Sequence, residues 1–216
     1  GDGTYDKSTV FIDKLLLPRM VLPLDDRVMV GITNTLDLWN YRDTDGDGVA
    51  DEKVKVFQGG GRGGNMEHQP SGLIWNLDNW IYITYQNVRY RYTNGEFKTE
   101  RLPRGGGQWG LTADDDGRVY YSTGGGENPA FFFQQPPIYG MFDSPGQTEA
   151  NFRAVFHIAA VPDVQGGRRR VGANGGLNAF TGCAGQGIYR GDRLPKELYG
   201  DLFIPEPVGR LIRRAK

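Results

Sequence analysis

Four closely spaced aspartates in residues 43–51 are the side chains of this sequence best suited to bind a metal ion. The stretch reads Asp-Thr-Asp-Gly-Asp-Gly-Val-Ala-Asp, so three carboxylates alternate along the chain and a fourth follows. Carboxylates on a curled backbone can converge on one point, and Ca²⁺ takes about six to eight oxygen ligands. The sequence therefore predicts a calcium loop with five ligand residues, namely Asp43, Asp45, Asp47, Asp51 and, through its carbonyl, Val49.

The residues that follow this loop distinguish it from an EF-hand. An EF-hand places a bidentate glutamate at its last position, where this sequence has Val54. The segment 54–57 alternates polar and apolar residues as a strand does. We therefore predict a calcium loop between two β-strands. The alternative is an acidic, solvated turn.

A repeat begins in the same loop. Residues 1–11 resemble residues 46–57, with the Gly-Asp-Gly triplets offset by 45 positions and the Val-Phe pairs by 46. A period of about 45 residues is typical of a four-stranded propeller blade. The first copy begins inside its loop, so we expect the chain to be a fragment of a longer polypeptide.

Tight turns rich in Asp and Asn, each feeding a β-branched or aromatic strand, recur along the chain. They lie at residues 24–27, 77–80, 114–118 and 199–201. These turns predict an all-β chain, a single propeller fragment over 1–216 with about four blades, interrupted by an irregular insertion at about 127–165. A closed propeller usually has more blades than this. A β-sandwich is the alternative, but it does not account for the repeat.

Composition narrows the classes of function. The formal net charge is −1, which gives no electrostatic reason to expect a nucleic-acid partner. No apolar run approaches the ~20 residues of a membrane span. The single cysteine, Cys183, excludes an internal disulfide, and no C-x-x-C-H motif for haem attachment is present.

Three glycine-rich segments, residues 58–72, 104–110 and 172–187, precede predicted inner strands. In a propeller such segments line one mouth of the central channel, where loops on a rigid scaffold often carry function. They hold the candidate site residues, namely His68 as a general base, Arg62 and Arg104 as a clamp for carboxylates or a quinone, and Trp109 as a platform for a sugar ring. Each also has a structural alternative. His68 would fix its loop by bonding to the backbone, the two arginines would pair with acidic residues, and Trp109 would pack between blades.

Three stretches, residues 43–57, 67–82 and 187–213, resemble a bacterial β-propeller family that is usually labelled membrane-bound dehydrogenase and is common in planctomycete-type bacteria. That family is distantly similar to quinoprotein sugar dehydrogenases, which use pyrroloquinoline quinone (PQQ) and calcium. The resemblance implies oxidation of a sugar or alcohol and transfer of electrons to a c-type cytochrome. Members often carry a C-terminal cytochrome c domain, so haem c is expected only in a segment beyond Lys216.

By the same resemblance, His68 takes the place of the base that removes the substrate proton, and Arg62 and Arg104 hold the quinone. The implied location is periplasmic or extracellular, with an association with the membrane. A different class of function remains open, in which a non-catalytic, calcium-stabilised propeller acts as a binding or scaffold module. A third reading is a polysaccharide lyase using Tyr90 between Arg89 and Arg91.

Overall fold

The computed structural model describes residues 3–102, 106–122, 164–173, 175–177 and 183–216, and for residues 130–132 the backbone alone. Arg104 and most of the predicted insertion at about 127–165 lie outside these residues. The chain forms two compact units, Gly1–Gln69 and Pro70–Lys216.

The first unit contains one four-stranded antiparallel sheet with strands in the order β1-β2-β3-β4. Its strands are Pro18–Leu24 (β1), Arg27–Ile32 (β2), Leu38–Arg42 (β3) and Glu52–Phe57 (β4). Pro18 and Pro23 are tolerated in β1 because it is an edge strand, where a missing N–H leaves no neighbour unpaired. Met20, Met29 and Leu38 are almost fully buried in this sheet. A side chain at Gly31 would overlap the end of the Met20 side chain, so a larger residue there would require Met20 to move.

The second unit contains three antiparallel sheets in its described part. The first comprises Ile74–Trp75 (β5), Ile81–Tyr82 (β6), Val88–Thr93 (β7) and Glu96–Arg101 (β8); the second Leu111–Ala113 (β9), Val119–Ser122 (β10) and Ala130–Phe132 (β11); and the third Gly187–Ile188 (β12), Leu202–Glu206 (β13) and Leu211–Ala215 (β14). Helix in the described residues is confined to single 3₁₀ turns at Met66–His68, Arg168–Arg170 and Lys196–Leu198.

Successive up-and-down sheets of up to four strands are the blades of a β-propeller, so the predicted fold is confirmed. The predicted repeat falls in equivalent places. Val28, Ile81, Val119 and Leu202 each lie at or near the start of the second strand of a sheet. The aspartate-rich turns therefore join the first two strands of the first three blades.

The predicted calcium loop, residues 43–51, connects β3 to β4, as the alternation of residues 54–57 predicts. One related expectation is wrong. Residues 8–11, which are strand-like in sequence and match the strand residues 54–57 in the repeat, form no strand. Phe11 instead accepts a single backbone hydrogen bond from Ala50 at 2.8 Å, within the loop region. A strand needs a continuous ladder of such bonds, which one contact does not supply.

Candidate functional site

The loop between β3 and β4 brings three of its aspartates together. One carboxylate oxygen from each of Asp43, Asp45 and Asp47 lies within 4.8 Å of the other two. Asp43 is half-buried, and Asp45 and Asp47 are exposed. Carboxylate oxygens are the ligands that Ca²⁺ prefers, so the donor chemistry of this cluster fits that ion.

Backbone N–H groups of the loop hold these carboxylates in place. Gly46 and Gly48 donate to the two oxygens of Asp43 at 2.7 and 2.8 Å, and Val49 donates to Asp47 at 2.8 Å. Gly46 and Gly48 have φ of 81° and 91°, a region that favours glycine. The bond from Gly48 is the main reason that the pKa of Asp43 lies below its usual value. Asp43 is therefore ionised at neutral pH.

The fourth aspartate has another partner. Asp51 accepts hydrogen bonds from the backbone N–H of Thr44 at 3.1 Å and from its hydroxyl at 2.7 Å. These bonds close the loop across its two ends. The structure therefore assembles three of the four predicted carboxylates into one cluster. The ligand roles of Asp51 and the Val49 carbonyl stay predictions.

His68 and Arg62 lie close together in the glycine-rich segment of the first unit. The Arg62 guanidinium donates to the backbone carbonyl of His68 at 2.7 Å, and the Asn65 side chain accepts from Glu67 N at 3.0 Å. The contact holds the 3₁₀ turn at Met66–His68 and leaves the His68 side chain exposed. Arg62 thus contacts the backbone of His68. Arg104, the other predicted clamp residue, lies outside the described residues.

Trp109, the candidate sugar platform, lies in the second unit. It is half-buried, and its backbone carbonyl lies 3.4 Å from the Ser122 hydroxyl. Cys183 is fully buried, and burial raises the pKa of its thiol to about 12. It is an inert core residue at neutral pH.

The model of one family, described as Domain of unknown function (DUF7133), matches residues 1–216. The chain belongs to DUF7133. No curated protein matches it.

Solved structures also resemble this DUF7133 chain. The tricorn protease is 15% identical, with a TM-score of 0.37, and the match covers 93% of this chain but only 22% of that one. A selenomethionine-substituted virginiamycin B lyase from Staphylococcus aureus is 11% identical, with a TM-score of 0.29, and the match covers 91% of this chain and 83% of that one. Both TM-scores are low, so the fold rests on the blade topology described above. No helix in the described part of the chain is long and apolar enough to cross a membrane.

The glycine-rich segments of the DUF7133 chain also contain buried residues that the sequence reasoning missed. Three buried hydroxyl residues lie at the end of the second strand of a blade or just after it. Each lies near a buried glutamine that precedes the first strand of the following blade. The pairs are Thr33 and Gln69, Thr84 and Gln108, and Ser122 and Gln186.

Hydrogen bonds join the members of these pairs or their chain neighbours. The Gln69 side chain bonds to Asn34 at both its oxygen and its nitrogen, and the Ser122 hydroxyl lies 3.0 Å from the oxygen of Gln186. The Thr84 hydroxyl lies 3.3 Å from the backbone carbonyl of Gln108. The recurring glutamine near the end of each glycine-rich segment was the available sequence signal. These bonds fasten one blade to the segment that begins the next.

The residues of the polysaccharide lyase hypothesis, Tyr90 and its neighbours, lie within a blade. Tyr90 is 2% exposed, and burial raises the pKa of its hydroxyl to about 12. Arg89 is paired with Asp78 at 2.9 Å and Glu100 at 2.8 Å. This buried arrangement stabilises the blade and offers no open groove at Tyr90.

Proposed function

We propose that this chain is a calcium-stabilised β-propeller module that serves in binding or assembly. The observation that carries the proposal is the convergence of three carboxylates within 4.8 Å on the β3–β4 loop. Like charges this close repel one another, and a bound cation would relieve the repulsion. Asp43, Asp45 and Asp47 would hold the ion. A calcium loop of this kind suits the periplasmic or extracellular location that we propose.

Calcium at this loop would also order a neighbouring segment of the first unit. Thr9 donates from its hydroxyl to the Gly48 carbonyl at 3.3 Å, and Ala50 donates to the Phe11 carbonyl at 2.8 Å. A loop stiffened by metal would therefore hold residues 9–11 against β3 and β4. The role of the ion in this proposal is structural.

Thermal unfolding tests the calcium proposal. At a calcium concentration about a hundredfold above Kd, binding adds about 2.7 kcal/mol, which should raise Tm by about 5–10 °C relative to chelated protein. Asp45→Asn should remove most of this shift, because it deletes one charged ligand. Asp25→Asn is the matched control, since Asp25 lies in the β1–β2 turn with φ of 31°, a conformation that asparagine also adopts.

Two results would contradict the proposal. One is an identical Tm with calcium and with chelator. The other is an Asp45→Asn protein that keeps the full calcium shift, which would place the ion elsewhere.

The exposure of His68 favours a second candidate function, a quinoprotein-type dehydrogenase that oxidises a sugar or alcohol and passes electrons to a c-type cytochrome. A base must be reachable by substrate, and the His68 side chain is exposed on a turn held by Arg62 and Asn65. Sequence resemblance supplies the rest of the support. Haem c would have to lie outside these 216 residues.

The described residues include only part of the PQQ site that the resemblance implies, because Arg104 lies outside them. Arg62 donates to the His68 carbonyl of its own segment, so it acts as a support for the turn. We therefore assign no catalytic step to the quinone, and His68 is the residue on which the dehydrogenase candidate depends.

Dye reduction by the full-length protein, supplied with PQQ, Ca²⁺ and a panel of aldoses and alcohols, tests this second candidate. His68→Ala should lower kcat/KM by at least about a hundredfold if His68 is the base. Glu67→Gln, in the same exposed turn, should leave the rate unchanged. Absence of dye reduction across the panel, or full activity of His68→Ala, would count against a dehydrogenase.

A further inference from the structure

The turn between β7 and β8 joins an asparagine directly to a glycine. Thr93 pairs with Glu96 in the antiparallel register, so Asn94 and Gly95 form a loop of two residues. Their φ values are 53° and 78°, as in a type I′ turn, for which Asn-Gly is a preferred sequence. Both residues are exposed to solvent. The structure therefore presents an Asn-Gly bond at an exposed hairpin tip.

An Asn-Gly bond can rearrange without an enzyme. The backbone nitrogen of the glycine attacks the side-chain amide carbon of the asparagine, and ammonia leaves with the proton of the glycine N–H. Water then opens the resulting cyclic succinimide at either carbonyl, and the product is aspartate or isoaspartate. Glycine favours the attack because it has no side chain to obstruct it. A glycine N–H that is held in a hydrogen bond is a poorer nucleophile, so hydrogen bonding protects such a bond.

Other glycines that follow an aspartate or an asparagine have their N–H groups engaged. Asp43 accepts from two of them, Gly46 and Gly48, at 2.7 and 2.8 Å. A backbone carbonyl three residues earlier accepts from each of Gly117 and Gly175, at 3.1 and 3.0 Å. These four glycines are therefore poorly placed to attack the side chain before them.

The N–H of Gly95 is different. Within the residues that the structure describes, no hydrogen bond engages it, and none engages the side-chain amide of Asn94. Asparagine is also among the residues most easily damaged by heat. The nucleophile and the carbon that it attacks are thus both available at one exposed bond.

We propose that Asn94 is a site of spontaneous deamidation and that its isoaspartyl product loosens β8. A two-residue loop sets the register of the strands that it joins, here six residue pairs beginning with Thr93 and Glu96. Isoaspartate carries an extra carbon in its backbone, so the type I′ turn loses its geometry and the pairing beside it weakens. The aspartyl product keeps the normal backbone. The proposal does not depend on calcium or on the binding-module function.

Peptide mapping by mass spectrometry tests the site. The whole chain is incubated in mildly alkaline buffer, which favours removal of the glycine N–H proton, and trypsin then releases Asn94 in the peptide 92–98. Asn94 should deamidate at least about tenfold faster than Asn87, which is also exposed but is followed by the β-branched Val88. Asn94→Gly should abolish the change in this peptide, because Gly-Gly forms the same type of turn without a side-chain amide.

Hydrogen exchange tests the effect on β8. Aged wild type, in which chromatography resolves the isoaspartyl form of the peptide, should exchange faster than fresh protein in peptides covering residues 96–101. Freshly prepared Asn94→Asp is the matched control, since it adds the same charge and keeps the normal backbone. Asp-Gly also forms a type I′ turn, so this variant should exchange as fresh wild type does.

Three results would overturn the proposal. The first is deamidation of Asn94 that is no faster than that of Asn87. The second is accumulation of isoaspartate without faster exchange in β8. The third is equally fast exchange in fresh Asn94→Asp and in aged wild type, which would assign the effect to the added charge.

Discussion

At the scale of single residues, Asp78 organises the blade formed by β5 to β8. Its carboxylate accepts from the Tyr82 hydroxyl at 2.6 Å, from Arg89 at 2.9 Å and from the backbone of Trp80 at 3.1 Å. Arg89 also lies 4.5 Å from the Trp80 ring centroid, measured from its guanidinium carbon. Asp114 repeats part of this design in the next blade, accepting from the Tyr120 hydroxyl at 2.9 Å. An aspartate at the first turn thus fixes the second strand.

Removal of Asp78 should destabilise the protein strongly. The Asp78 and Arg89 side chains are only 10% and 9% exposed, so Asp78→Ala leaves a buried cation short of a partner. We expect a loss of about 3 kcal/mol in the free energy of unfolding, measured by urea denaturation. Glu96→Ala is the control, because its pair with Lys98 is exposed and contributes less than about 1 kcal/mol. Equal losses for the two variants would contradict the assigned role.

At the scale of elements, the segments between strands are held by side chains as much as by their own backbone. Asp37, just before β3, accepts from the backbone N–H groups of Gly59 and Gly60 at 2.9 Å and from Lys55 at 2.7 Å. A side chain at Gly59 would collide with Leu36, so this close approach requires glycine. The glycine-rich segment after β4 is therefore tied back to β3, and its glycines serve packing here.

Substitution of Asp37 separates its two roles. Asp37→Ala leaves two backbone donors without their acceptor and should cost about 2 kcal/mol. Asp37→Asn keeps an oxygen acceptor and loses only the ion pair, so it should cost less than about 1 kcal/mol. Urea denaturation of the two variants gives both values. If Asn is as damaging as Ala, the ion pair with Lys55 dominates and the tether to the glycines contributes little.

The pH dependence of stability should show the contribution of the same Asp37 contacts. The Lys55 contact, followed by the Gly60 N–H, lowers the pKa of Asp37 in the folded state below the usual 3.8. A lowered pKa contributes stability above pH 3.8, and that contribution is lost as the pH falls through the folded-state pKa. The difference in stability between wild type and Asp37→Ala should therefore shrink below about pH 4.

At the scale of the whole molecule, the candidate calcium loop and the neighbouring residues 9–11 both lie in the first unit, Gly1–Gln69. The buried Thr84, Ser122, Gln108 and Gln186 network lies in the second unit, Pro70–Lys216. The proposed calcium site thus depends on contacts made within one compact unit.

Hydrogen exchange followed by mass spectrometry should locate the effect of calcium. Chelation should increase exchange in peptides covering residues 43–51 and 9–13, because Ala50 and Phe11 share a backbone hydrogen bond. Peptides covering β7 and β8 are the internal control and should not change. An increase spread evenly over the chain would show instead that calcium stabilises the molecule globally.

The local signals of the sequence were sufficient to predict the fold class and a loop of aspartates between two strands. Aspartate-rich turns at a blade period, alternating strands and alternating carboxylates are short-range patterns, and each depends on residues only a few positions apart. They correctly predicted the first-to-second-strand turns of the first three blades and the position of the loop between β3 and β4.

Tertiary structure decided which of these residues meet. The guanidinium of Arg62 donates to the His68 carbonyl, Asp51 accepts from Thr44, and residues 8–11 lie against the loop without forming a strand. A cavity of about 380 Å³ joins residues 10–13 to residues 49–53, almost forty positions away along the chain. Such contacts depend on how buried donors and acceptors are satisfied across the fold, which residue types and spacing alone do not specify.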